Sequence, residues 1–157
     1  MLLEGLRPNT RYAVAASAVD IAGRPSDPGP AAVLVSLPAP PGRPTVSAAQ
    51  ATAAAAAWPA ASGRQDSILG YNVTAIALPL TAAADAAPVG PPLYQLSPGP
   101  GTGFSVTGLQ PGTRYVFAVA AINAAGQSAF GPASASFVTQ VPRPPCQAIP
   151  CPDIPQP

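Results

Sequence analysis

The side chains that enzymes most often use for acid–base and covalent chemistry are scarce in this chain. It contains no histidine, and all seven of its cationic residues are arginine. The common general bases, imidazole metal ligands and Schiff-base amines are therefore absent, which leaves carboxylates and thiols. The carboxylates are scattered along the sequence as Glu4, Asp20, Asp27, Asp66, Asp85 and Asp153. We predict no catalytic residues, no cofactor and no small-molecule substrate.

The two thiols lie close together near the end of the chain. Cys146 and Cys151 enclose residues 147–150 in a stretch rich in proline. Structural zinc sites use four ligands, and two thiols without histidine do not supply them, so no metal site is predicted. We expect either a disulfide that closes a small loop or the opening of a cysteine-rich segment. Cysteines outside a domain favour an oxidising compartment.

One modification motif is present in the middle of the chain. Asn72-Val73-Thr74 is a sequon for N-glycosylation. If Tyr71 faces the core of a strand, Asn72 and Thr74 point to solvent, and the geometry permits a glycan. Such short motifs also arise by chance, so an unmodified Asn72 is the alternative.

Composition argues against two classes of partner. Charged residues make up 8% of the chain and the formal net charge is +1, so no basic field exists to hold a nucleic-acid backbone. No apolar run reaches the roughly 18 to 20 residues that a membrane-spanning helix requires. The first residues lack the basic and apolar regions of a signal peptide, so either the protein is cytosolic or its true beginning lies upstream. We expect other protein domains as partners, without nucleic acid and without membrane insertion by this segment.

An internal repeat organises the sequence. Residues 5–12 recur as residues 108–115, and the segments that follow the two copies also match. The copies are separated by about the length of one small β-sandwich domain. The repeat predicts a module that occurs more than once.

Short apolar stripes of period two predict strands within and upstream of the second copy. The predicted strands span residues 43–48, 52–58, 68–78, 102–109, 114–122 and 132–139. Tyr115, Phe117 and Val119 share one face of the fifth strand. Several short strands separated by Pro, Gly and Ser favour a sandwich of two sheets.

Five consecutive alanines at 53–57 allow two interpretations. Alanine is the best intrinsic helix former, which favours a helix. The run is too short for a stable lone helix and ends at Trp58-Pro59, which favours a strand. We predict a strand with Ala54, Ala56 and Trp58 facing inward. Alanine buries less apolar surface than valine or leucine, so we also expect modest stability.

Several features of residues 38–139 occur together in one known family. They are Trp58 at the end of the second strand, residues 68–73 in the third, the corner Leu109-x-Pro111-x-Thr113-x-Tyr115, and Asn123-x-x-Gly126 followed by Gly131-Pro132. With these features the segment resembles a complete fibronectin type III domain. The resemblance implies an all-β, immunoglobulin-like antiparallel sandwich with structural roles for Trp58, Tyr71, Leu109 and Tyr115. In such a corner the tyrosine ring packs in the core, and its hydroxyl bonds to the backbone a few residues upstream.

The segments on either side are incomplete by this comparison. Residues 1–37 resemble only the last third of another such domain, through Leu6-x-Pro8-x-Thr10-x-Tyr12, and we expect a partial β-hairpin with Tyr12 in the corner role. The hypothesis is that this segment is the C-terminal remnant of a preceding copy in a longer tandem array. Residues 140–157 form a proline-rich tail that serves as a semi-rigid spacer or, alternatively, as a ligand for a proline-binding domain.

The resemblance implies a non-catalytic spacer, adhesion element or protein-binding scaffold. Such modules occur in larger extracellular or cell-surface proteins, which is the localisation we expect. An accessory domain of a secreted carbohydrate-active enzyme and a cytoskeletal or ciliary scaffold in the cytoplasm are the alternatives. The Arg-Gly-Asp tripeptide by which some members bind adhesion receptors is absent from residues 20–27 and 123–128.

Overall fold

A computed structural model describes residues 3–63, 67–80 and 87–142 of the chain. Its regular structure over these ranges consists of ten β-strands. They are β1 (Arg11–Val14), β2 (Ala32–Val35), β3 (Thr45–Ser47), β4 (Ala53–Ala57), β5 (Gly70–Leu78), β6 (Leu93–Pro98), β7 (Gly103–Thr107), β8 (Arg114–Asn123), β9 (Gly126–Gln127) and β10 (Phe137–Val138). None of the described residues belongs to a helix with the length and apolar character needed to cross a membrane.

Residues 38–139, here called the sandwich, form two antiparallel sheets. One sheet has the order β3-β4-β7, and the other has the order β10-β8-β5-β6 with β9 also paired to β8. The longest pairing joins β5 to β8, from Gly70 opposite Ile122 to Leu78 opposite Arg114. Residues 3–37, here called the first segment, form a separate sheet of β1 and β2. The predicted all-β, two-sheet fold class is confirmed.

The core lies between the two sheets and follows the period-two stripes of the sequence. It contains Ala54, Ala56, Trp58, Tyr71, Val73, Ala75, Val106, Leu109, Tyr115, Phe117, Val119 and Ala121. Trp58 and Tyr71 meet edge to face, with ring centroids 5.3 Å apart. Such a contact stabilises by about 0.5–1.5 kcal/mol beyond the area that the rings bury.

The alanine run is a strand, so the helical alternative is wrong. β4 pairs with β3 on one side and with β7 on the other, which satisfies its backbone groups along both edges. Ala54 and Ala56 are buried and alternate with more exposed neighbours. Tertiary pairing outweighs the helix propensity of alanine here, because strands on both sides bond the backbone of β4 and the opposing sheet buries every second side chain.

Two elements of the second sheet differ from the prediction. β6 was not expected from the sequence, and it is the edge strand beside β5. The predicted last strand at 132–139 is regular only at β10, although the chain before it runs beside β8. Over that stretch Ser128 and Ser134 each donate a backbone N–H to β8 and accept one through the side-chain hydroxyl. The hydroxyls replace backbone carbonyls as acceptors, so a regular ladder is interrupted.

Several predictions fall outside the described residues. Cys146 and Cys151, the candidate disulfide, lie there together with residues 143–157 of the proline-rich tail. Asp66, Asp85 and Asp153 lie there as well.

Candidate functional site

The corner that opens β8 is held by side-chain hydrogen bonds. The Tyr115 hydroxyl oxygen accepts a hydrogen bond from the backbone N–H of Gln110 at 3.1 Å. The Thr139 hydroxyl donates to the carbonyl of Gln110 at 2.6 Å and accepts from the N–H of Thr113 at 3.0 Å. Because the Thr139 side chain bonds both arms of the turn, it joins the corner to the residue that follows β10.

The first segment repeats this corner bond for bond. The Tyr12 hydroxyl accepts the N–H of Arg7 at 2.7 Å, five residues upstream as in the second copy. The Ser36 hydroxyl donates to the carbonyl of Arg7 at 2.6 Å and accepts from the N–H of Thr10 at 3.0 Å. The sequence repeat is therefore also a repeat of local structure.

The two corners differ in how deeply they are covered. Tyr115 is 7% exposed and Phe117 is fully buried, because the sheet β3-β4-β7 packs over them. The matching residues Tyr12 and Val14 are only half-buried. The first segment thus has the corner of a sandwich with an apolar face that is still partly exposed.

The first segment contacts one end of the sandwich through its turn residue Asn9. Asn9 is 2% exposed, and its side-chain oxygen accepts hydrogen bonds from Asn123 and Ser67. Two loops of the sandwich also lie against the first segment here: Gly63 is close to Asn9, and Gly126, after β8, is close to Leu37. Sequence reasoning missed Asn9 and Ser67 as contact residues. The available signal was an asparagine at position 9 where the second copy has Gly112.

The aromatic pair in the core carries two polar groups in an apolar setting. Burial raises the pKa of the Tyr71 hydroxyl, and a hydrogen bond with the backbone of Ala61 acts in the opposite direction. The indole Nε1 of Trp58 is buried and has no acceptor among the described residues. Both rings therefore serve packing, and the neutral form of Tyr71 is favoured.

Asp20 carries a second group with a shifted pKa, and it lies at the exposed turn of the first segment. A hydrogen bond from the backbone N–H of Arg24 lowers the pKa of Asp20, and the Arg24 side chain and the N–H of Ala22 add to the effect. These bonds close the turn between the two arms of the hairpin.

The candidate glycosylation residue lies on the outer face of the second sheet. Asn72 is half-buried, and its side-chain N–H donates to the side-chain oxygen of Gln127 at 3.0 Å. Thr74 is only 4% exposed, and its hydroxyl donates to the carbonyl of Leu93. The prediction that Thr74 points to solvent is wrong, because apolar side chains cover this part of the outer face.

An apolar depression of about 220 Å³ lies beside Thr74 on that outer face. Tyr94 and Phe130 form its rim with ring centroids 6.4 Å apart, and Ile76, Pro92 and Ala118 complete most of its lining. Tyr94 is 57% exposed and Leu96, farther along the same strand, is 63% exposed. The outer face is apolar where a solvated sheet face normally alternates with polar residues.

Comparison with known proteins agrees with this geometry. A family model described as the fibronectin type III domain matches residues 39–137. A search of curated proteins found no match. Among solved structures, the FN5 domain of Drosophila Lar is 24% identical with a TM-score of 0.51, and the match covers 68% of this chain and 100% of that one.

Two human domains of known structure are similar as well. The third fibronectin III domain of the human KIAA0343 protein is 20% identical with a TM-score of 0.55, over 69% of this chain and 88% of that one. The fn3 domain of the human collagen alpha-1(XX) chain is 25% identical with a TM-score of 0.52, over 70% of this chain and 92% of that one. Since the family model spans more than half of the sequence and the sandwich has the sheets and corner described above, this chain belongs to the fibronectin type III family.

Proposed function

We propose that this chain is a non-catalytic spacer and protein-interaction module from a longer tandem array. One observation carries the proposal: the same corner, with the same three hydrogen bonds, occurs twice, and the first copy contacts the end of the second through Asn9. Domains that follow one another end to end set the distance between the parts of a protein that they join. The fibronectin type III domain is a structural and interaction module of multidomain proteins, and this arrangement supports its use as a spacer here.

The proposal treats residues 1–37 as the C-terminal remnant of a preceding domain. The half-buried state of Tyr12 and Val14 supports it, since their counterparts Tyr115 and Phe117 are buried under an opposing sheet. A two-stranded hairpin is marginally stable alone in water. Strands that cover the apolar face of β1 would complete the domain.

The positions of the carboxylates support a role without catalysis. Glu4, Asp20 and Asp27 lie in exposed positions of the first segment. No described group of three or more His, Cys, Asp and Glu side chains could hold a metal ion. Enzymes place their general acids and bases in clefts beside the bound substrate, and these three carboxylates are exposed.

The apolar outer face supports the interaction part of the proposal. Contiguous apolar surface on a soluble domain marks sites for other proteins, and Tyr94, Leu96 and Phe130 together provide it. Aromatic side chains are also enriched where proteins meet. We propose protein domains as partners of this face, in an extracellular or cell-surface setting.

Pulling single molecules of the full chain by its two ends tests the spacer role. A spacer must keep its length until the whole domain unfolds at once. We expect one cooperative event that lengthens the chain by about 30 nm, since the 99 residues from 39 to 137 extend by roughly 3.3–3.6 Å each and the folded length is subtracted. Gradual extension without a discrete event, or several much shorter steps, would contradict the proposal.

A further inference from the structure

Asn9 combines an unusual backbone conformation with near-complete burial. Its φ is 50°, and Gly112, the equivalent residue of the second corner, has a φ of 62°. Glycine adopts this left-handed region freely, and asparagine tolerates it better than most residues. Glycine at position 9 would therefore satisfy the turn. Asparagine adds a side chain that is 2% exposed at the end of the sandwich.

The Asn9 side chain receives two hydrogen bonds from the sandwich. Its oxygen accepts from Nδ2 of Asn123 at 2.9 Å and from the hydroxyl of Ser67 at 2.8 Å. Nδ2 of Asn123 uses its second hydrogen for the carbonyl of Ser36 at 2.8 Å. The Asn123 amide thus bonds both the turn of the first segment and Ser36, the residue that follows β2. A buried carbonyl or amide that loses such a partner destabilises the contact, because its lost hydration is no longer offset by a hydrogen bond.

The repeat shows that the amide of Asn123 is not needed by its own turn. Oδ1 of Asn123 accepts the N–H of Ala125 at 2.9 Å. The equivalent residue of the first segment is Asp20, whose Oδ1 accepts the N–H of Ala22 at 2.9 Å in the same way. A carboxylate therefore supports this turn as well as an amide does. Only the contact with the first segment uses the two N–H donors that distinguish asparagine.

The backbone also approaches closely at this contact. A Cβ placed on Gly63, whose φ is +112°, would lie 3.1 Å from Cβ of Asn9 and 3.3 Å from the carbonyl oxygen of Pro8. A Cβ on Gly126 would lie 3.2 Å from Cδ2 of Leu37. The N–H of Asn9 donates to the carbonyl of Leu37 at 2.9 Å, which draws the connecting chain onto the turn. Little space is left for the two units to change their relative orientation.

We propose that Ser67 and Asn123 form a docking surface for the corner of the preceding repeat, and that Asn9 is the residue that this surface recognises. The contact fixes the angle between the two units, so that a spacer made of them is stiff at this junction. This inference rests on the proposed spacer function and adds to it the partner of one surface. Gly112 has no side chain for such a contact, so the second corner lacks the recognised group.

Single substitutions at the two asparagines of the full chain test the proposal. Asn123→Asp retains the acceptor for Ala125 and removes both donors to the first segment. Asn9→Gly retains the left-handed turn and removes the acceptor. The matched control is Asp20→Asn, which makes the reverse exchange of carboxylate and amide at the equivalent turn, away from the contact, and affects only the exposed ion pair with Arg24. The readouts are residual dipolar couplings of the strands and the hydrogen-exchange rate of the Asn9 backbone amide.

The wild-type couplings of β1, β2, β5 and β8 should fit one alignment tensor. With Asn123→Asp and with Asn9→Gly, β1 and β2 should require a second tensor. The backbone amide of residue 9 should exchange about 10- to 100-fold faster, relative to the intrinsic rate of the residue present, because the lost hydrogen bonds favour opening. Asp20→Asn should match the wild type. Combining Asn9→Gly with Asn123→Asp should add little to either single change.

A single tensor and unchanged exchange in both variants would overturn the proposal, as would two tensors in the wild type. If one variant unfolds β1 and β2, the other still decides, since each removes a different side of the same contact. The couplings of β5 and β8 report the sandwich alone. If the wild-type couplings of β5 and β8 fit one tensor while those of β1 and β2 need another, the docking proposal is wrong. The spacer proposal is then decided separately, by the length gained when the sandwich unfolds under force.

Discussion

Among single residues, Tyr115 makes the hydrogen bond that is expected of a tyrosine in such a corner. Its hydroxyl is the acceptor for the N–H of Gln110 and contributes one hydrogen bond to a partly buried site. We predict that Tyr115→Phe lowers the free energy of unfolding by about 1 kcal/mol, the net value of one such bond. Chemical denaturation of the full chain measures the change. Tyr94→Phe is the control, because Tyr94 is 57% exposed. An unchanged midpoint for Tyr115→Phe would count against the corner.

Tyr71 links stability to alkaline pH. Its folded pKa is raised above the ordinary value of 10.0 by burial. Between the two values the unfolded chain releases the phenol proton while the folded chain keeps it, so the free energy of unfolding falls as pH rises through that window. We predict that Tyr71→Phe removes this part of the decline, in addition to losing the bond with Ala61. Denaturation on both sides of the ordinary tyrosine pKa measures it. A decline as steep in Tyr71→Phe as in Tyr94→Phe would refute the assignment.

Among the elements, the stretch after β9 passes close to the stretch before β3, and Gly131 lies at the point of contact with Pro41. A Cβ on Gly131 would lie 2.2 Å from the carbonyl oxygen of Pro41, while the N–H of Gly131 bonds to the carbonyl of Val119. We predict that Gly131→Ala destabilises the sandwich by about 1–3 kcal/mol, because main-chain atoms must move to admit the methyl group. Thermal denaturation checks this.

The control for that change is Gly101→Ala. A Cβ on Gly101 meets no heavy atom within 4 Å. We expect this variant to remain within about 0.5 kcal/mol of the wild type, as exposed substitutions usually do. Equal effects of the two substitutions would show that Gly131 and Pro41 do not approach as described.

The strands that are buried on one face could be predicted from the sequence, because burial imposes a period of two. The apolar stripes of β5 and β8 are enough to assign Tyr71 and Tyr115 to a core, and both residues are buried. β6 escaped prediction for a physical reason: it is an edge strand with Tyr94 and Leu96 exposed, so its apolar residues do not mark an inner face. The last strand was overestimated because serine hydroxyls replace part of its ladder.

The contact between Asn9 and Asn123 could not be predicted from local pattern. The two residues are separated by 114 positions, and each lies in a turn that would form without the other. What the sequence did contain was the comparison between copies, in which Asn9 matches Gly112 and Asp20 matches Asn123. These differences become informative only because the fold brings both asparagines to one junction.

Over the whole molecule, the first segment meets one end of the sandwich through Asn9. The sandwich has its own core and matches the fibronectin type III family over residues 39–137, whereas the corner of the first segment is only half-buried. Stability should therefore be distributed unevenly. The amides of β5 and β8 should open only when the sandwich unfolds, and those of β1 and β2 should open in smaller events.

Hydrogen exchange of the full chain, followed residue by residue by NMR, is the sharpest test of whether the two sheets form one cooperative sandwich. We expect the slowest amides in β5 and β8, where they should exchange together at the rate of global unfolding, and faster exchange in β1 and β2. Rapid and unrelated exchange along β5 and β8 would contradict a cooperative two-sheet sandwich in this chain.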